Sequence, residues 1–73
     1  MDPIDESLKW CREQRSASAE MLEDLTSGKM KLGEKHGSSD WIDTTNDWIT
    51  RLRGEIAQLD RLIVAYEKVK SGR

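Results

Sequence analysis

Six apolar residues, Ile49, Leu52, Ile56, Leu59, Ile63 and Tyr66, follow one another at alternating spacings of three and four. That alternation keeps one side of an α-helix apolar and makes a coiled-coil-type seam. It cannot line one side of a strand, where the repeat is two. Trp48, Leu62 and Val69 add a neighbouring row at multiples of seven residues. The seam is therefore wider than a two-stranded contact needs. Ala57, Val64 and Ala65 fall outside it. The pattern predicts a helix over residues 44–70. Thr44, with Asp47 three residues on, offers a capping-box-like start, and Asp43 is the alternative N-cap. Gly54 lies inside this helix at a cost of roughly 1 kcal/mol against alanine; close packing is the one reason for it that the sequence offers.

A second helix is expected over residues 3–27. Asp2 can accept backbone N–H bonds as N-cap, and Pro3 occupies the first helical position, where its missing N–H costs nothing. Asp5 and Glu6 put negative charge in the first turn, where the helix dipole favours it. Gly28 can take the left-handed conformation that ends a helix. Between these signals, Ile4, Leu8, Trp10, Cys11, Ala17, Ala19, Met21, Leu22 and Leu25 fall on one broad side at about 100° per residue. Lys9, Arg12, Glu13, Ser16, Glu20, Glu23 and Asp24 occupy the other. Ser7, Cys11 and Ser18, with Gln14 close by, run down the middle of the apolar side and make a thin core there.

Residues 28–43 form a glycine-rich connector. Met30 and Leu32 alternate with Lys29 and Lys31, and Trp41 and Ile42 follow the turn-like stretch Gly37–Asp40. Two readings stand side by side: a short β-hairpin arm, or a structured loop anchored by Trp41. An arm of two strands is marginal alone and must lean on the helices or on a partner. Ser71, Gly72 and Arg73 read as a frayed tail.

The fold class is thus all-α: a single domain, residues 1–73, forming an antiparallel two-helix hairpin with a 16-residue connector. Two helices of about 25 residues, or roughly 38 Å, only partly cover each other's apolar sides. With 73 residues and a single cysteine, the chain has no intrachain disulfide to brace it, and short chains need some such brace. Dimerisation into a four-helix bundle is the simplest closure. The expected packing and interface residues are Leu8, Cys11, Leu22, Leu25, Trp48, Ile49, Leu52, Ile56, Leu59, Ile63 and Tyr66.

Composition excludes several classes. The net charge is -2, with 14 acidic against 12 basic residues, so the chain is not a globally basic nucleic-acid binder. No run approaches the roughly 20 apolar residues that a membrane span needs. The acidic start, Asp2–Glu6, carries no apolar signal segment, and a cytoplasmic location is expected. Cys11 reads as a small core residue and His36 as an exposed loop residue. One cysteine and one histidine on separate elements make neither a zinc site nor a nucleophilic triad. Gly28–Gly33 lacks the Gly-Lys-Ser/Thr ending of a P-loop. No catalytic residue, cofactor or metal is expected, and the chain reads as a non-enzyme.

Lys29, Lys31, Lys35 and His36 cluster in the connector, with Arg51, Arg53, Trp41 and Trp48 at the same end of the hairpin. Basic groups with aromatics can hold a phosphate backbone and stack bases. Asp40, Asp43 and Asp47 are interleaved and weaken that affinity. The leading expectation is a small adaptor protein that self-associates through its helices. The alternatives are nucleic-acid binding by the tip (Lys29, Lys31, Lys35, Trp41, Arg51), or an inhibitor or antitoxin-like protein that covers a larger partner.

The run Leu25-Thr-Ser-Gly-Lys-Met-Lys-Leu-Gly-Glu34, then Trp41-Ile-Asp-Thr-Thr45 and Ile56-Ala-Gln-Leu-Asp60, resembles small uncharacterised proteins of α-proteobacteria. These carry a Ser-Gly-Lys turn, a Trp-x-Asp-Thr-Thr helix start and a closing Ile-Ala-x-Leu-Asp helix. The resemblance covers residues 22 to about 64. Its motifs are a helix stop, a helix start and a seam, so it implies the hairpin fold and no activity.

Overall fold

The computed structural model describes every residue except Met1, His36, Ser38, Ser39 and Arg73. Its order is α1 (Pro3–Ser27), β1 (Gly33–Glu34), β2 (Ile42–Asp43) and α2 (Thr45–Ser71). The two helices pack against each other along their lengths. The result is long and thin, 58 × 24 × 16 Å, with a radius of gyration of 16.6 Å, against about 11 Å for a compact domain of this length.

The ends of α1 are those its sequence predicts. Asp2 is the N-cap, its Oδ1 accepting from the Ile4 N–H at 2.9 Å. Gly28 is the C-cap at φ 85°, in the left-handed region open to glycine. The chain then folds back once, the Met30 N–H donating to the Asp24 carbonyl at 3.1 Å.

The start of α2 differs from expectation. Thr44 precedes the helix but makes no side-chain capping bond. Asp43, the alternative, does the capping: its Oδ1 accepts from the Thr45 N–H at 2.8 Å. Its carboxyl is held below the ordinary carboxylate range, first by its hydrogen bonds to Thr45 and, less strongly, by the charge of Lys31. The helix runs one residue beyond 70, to Ser71, and the Gly72 N–H still donates to the Lys68 carbonyl.

The connector forms the arm rather than the loop, in its smallest version. Gly33 pairs with Asp43 and Glu34 with Ile42, antiparallel. The strands lie later than the Met30–Leu32 alternation implied. Leu32 instead docks on the start of α2. Its carbonyl accepts from the Thr44 N–H at 2.9 Å and from the Thr45 hydroxyl at 3.2 Å, and its N–H donates to that same hydroxyl at 3.1 Å. Thr45 thus clips the arm to the helix, the support a two-residue ladder requires. Trp41 lies over Gly33, where any Cβ would collide with the indole. Gly37, in the turn, has φ 61°; Ser38 and Ser39 of that stretch lie outside the described residues.

Among the described residues, the buried apolar core consists of four side chains, Leu8, Cys11, Leu25 and Leu52. Leu22, Trp48, Ile49, Ile56, Leu59, Ile63 and Tyr66 are half-buried. Of the eleven expected packing residues, four are thus buried and seven half-buried.

Candidate interaction surface

The hairpin has two long faces, and they differ in chemistry. On one, ion pairs bridge the helices. Lys70 Nζ lies 2.6 Å from Asp5 Oδ1, Arg12 Nη2 lies 3.5 Å from Glu67 Oε2, and the Arg15 Nε donates to Asp60. The hydrogen bond to Asp60, and then its charge, raise the Arg15 guanidinium above its ordinary value. Exposed pairs of this kind contribute little to stability, because water and salt screen them. Together they follow the antiparallel register: α1 rises through 5, 12 and 15 as α2 descends through 70, 67 and 60. Asp5 lies at the N-terminus of its helix and Lys70 at the C-terminus of its own, so each also favours its helix dipole. The sequence carries the signal for this ladder. Asp5 and Arg12 are seven apart, Asp60 and Glu67 are seven apart, and the charges are opposite across the seam.

The other face is a groove. Trp10, Gln14 and Ser18 of α1 face Glu55, Gln58, Leu59 and Leu62 of α2 across a cavity of about 260 Å³. It continues toward the open end of the hairpin as a shallow depression between Ser7, Trp10 and Cys11 and Leu62 and Tyr66. Trp10 is 57% exposed, Leu62 43% and Val69 52%. Trp10 was expected on the apolar side of α1; it lies at that side's edge, facing solvent. Leu62 and Val69 belong to the second row of α2, which the single hairpin leaves uncovered. Val64, also exposed, lies on the outer side of α2 with Asp60, Arg61, Ala65 and Lys68.

The basic tip is less organised. Lys29, Lys31, Lys35, Trp41 and Arg51 are all exposed. The Arg51 guanidinium stacks on Trp48, 4.7 Å from the ring centroid, a cation–π contact within the protein. Around it lie Glu34, Thr44 and Asp47. Lys31 lies near enough to Asp43 to help lower its pKa. The tip thus mixes both signs of charge and gathers no basic cradle from its described residues. His36 lies outside them.

Among the described residues, no group of three or more His, Cys, Asp or Glu is placed to hold a metal ion. None of the helices is long and apolar enough to cross a membrane. Cys11 is a buried free thiol. No protein-family model, curated protein or solved structure matches the chain. What it does must therefore be read from the groove and the tip themselves.

Proposed function

We propose that this chain is a small non-enzymatic interaction protein that self-associates through the Trp10–Leu62 face, two hairpins closing a four-helix bundle. One observation carries the reading: the hairpin leaves too much surface in water. The chain exposes 5601 Å², whereas a folded monomer of 8.4 kDa exposes about 4600 Å². The surplus of about 1000 Å² exceeds the roughly 800 Å² that each partner buries in a standard interface. The groove face carries Trp10, Leu62 and Val69, large apolar side chains that are exposed along one side of the molecule. Contiguous apolar surface of that kind marks association sites, and a tryptophan at the centre suits an interface anchor.

Leu59 lies at the junction of the helix–helix contact and the groove. Leu59→Asp is expected to lower both the mass in solution and the melting temperature. A variant with the wild-type mass and melting temperature would contradict the assignment of this seam.

A further inference from the structure

The charges that line the groove are of one sign. Glu6 borders its open end, beside Ser7, Trp10 and Tyr66. Glu55 borders the stretch nearer the connector, with Gln14 and Gln58. The two depressions share Trp10 and Leu62, so one surface carries both carboxylates. Among the described residues, no lysine, arginine or histidine lines either depression. Both glutamates are exposed, and neither makes an ion pair within the hairpin among the described residues.

The cations nearest to them are engaged or placed elsewhere. Arg51, one turn before Glu55, stacks on Trp48 and lines the tip with Glu34 and Asp47. Lys9, three residues after Glu6, is exposed and lines neither depression. Lys70 pairs with Asp5 on the other face, and Asp2, one turn before Glu6, is another acid. From the opposite helix, Leu62 and Tyr66 face Glu6, while Gln14 and Ser18 face Glu55; none of these is a cation.

We propose that Glu6 and Glu55 set the strength of self-association through this face, holding it weak at neutral pH and strengthening it on acidification. This rests on the self-association proposed above and adds its regulation. However two copies meet through the Trp10–Leu62 face, their approach gathers four carboxylates at one interface, and the groove supplies no cation to meet them. Like charges brought together cost affinity. A carboxylate removed from water without a partner costs more than a neutral group does. Protonation removes both costs. The assembled pair therefore takes up protons that the separate hairpins do not, and by linkage association tightens as pH falls.

Glu6→Gln with Glu55→Gln tests it, since the amides keep the shape of the side chains and remove the charge. Glu13→Gln with Glu20→Gln, at exposed positions on the polar side of α1, removes the same charge away from the groove and is the control. Circular dichroism verifies that each double variant keeps wild-type helicity. Sedimentation equilibrium reads the dissociation constant at pH 7 and at about pH 4.5, close to the ordinary carboxylate range and above the range in which the Asp43 cap is lost. Wild type is expected to tighten about fivefold or more between the two, because four sites contribute linked protons. The groove variant is expected to be about tenfold tighter than wild type at pH 7, and to change by under about twofold on acidification. The control is expected to follow wild type at both values. A dimeric wild type with one dissociation constant at both values, a groove variant no tighter than wild type at pH 7, or a control that tightens as much as the groove variant would overturn the role of Glu6 and Glu55 and leave self-association standing. A wild type that remains one chain at both values would overturn both.

Discussion

Trp10 of α1 and Leu62 of α2 flank one groove from opposite helices, and both remain largely in water although each belongs to its helix's apolar pattern. An apolar pair of this kind is costly to display and inexpensive to cover, since burial contributes about 25 cal/mol per Å². The same pair separates two roles that the sequence pattern merges. Leu52 and Leu25 hold the hairpin together, while Trp10 and Leu62 are held out from it.

Leu62→Glu is therefore expected to leave the fold intact and abolish association. The side chain is 43% exposed in the hairpin, so the change should cost the monomer under about 1 kcal/mol. Circular dichroism at low concentration should give wild-type helicity, while sedimentation should give the mass of one chain. Loss of helicity at every concentration would place Leu62 in the hairpin core instead.

Gly33 is required by Trp41, not by its backbone angles. Gly33→Val should expel the indole from its place over the strand and loosen the arm. The tryptophan emission should shift to longer wavelength, with a loss of stability of about 1–3 kcal/mol, the range for overpacking. An unchanged spectrum and melting temperature would show that the indole does not rest there.

Asp43 gives the start of α2 a pH dependence of known sign. Its folded pKa lies below the ordinary value because the carboxylate accepts from Thr45, with a smaller contribution from Lys31. The stabilisation is fully present above the unfolded carboxyl pKa of about 3.9 and is lost as pH falls through the folded value. Asp43→Ala should lower the melting temperature at pH 7, and the gap from wild type should narrow as pH falls below about 4. A gap that widened on acidification would reverse the assignment.

Gly54 is exposed, and apart from its chain neighbours and the backbone of its own helical turns nothing lies within 4 Å of where its Cβ would be. Close packing, the one reason for it that the sequence offered, is absent in the hairpin. Gly54→Ala should raise stability by about 1 kcal/mol, read as a rise in the denaturant midpoint. A loss of stability would show that a partner backbone approaches there.

The helices were legible because their signals are local and redundant. Asp2, Pro3 and Gly28 each mark an end of α1, and the three–four alternation from Ile49 to Tyr66 leaves no other element for α2. The arm was half legible. Its alternation lies at Met30 and Leu32, whereas the ladder forms at Gly33 and Glu34 and Leu32 bonds to the Thr45 hydroxyl, a contact across 13 residues that no local pattern announces. At the start of α2 the capping bond comes from Asp43, not Thr44: the Thr45 N–H donates to the Asp43 carboxylate, while the Thr44 N–H donates to the Leu32 carbonyl. The seven-residue spacing of the ion-pair ladder is present in the chain, but charges on a helix exterior carry register only once the partner helix is known. The uncovered face was foreseen as the excess width of both stripes. Its membership was not, since Trp10 reads as an apolar-side residue until the crossing of the helices places it at the edge.

The most direct test of the central claim is the absolute mass of the wild-type chain, by light scattering after size exclusion over a concentration series. Self-association through the Trp10–Leu62 face predicts a mass approaching twice 8.4 kDa as concentration rises, with tryptophan emission shifting to shorter wavelength in step. A constant mass of one chain up to millimolar concentration would contradict it.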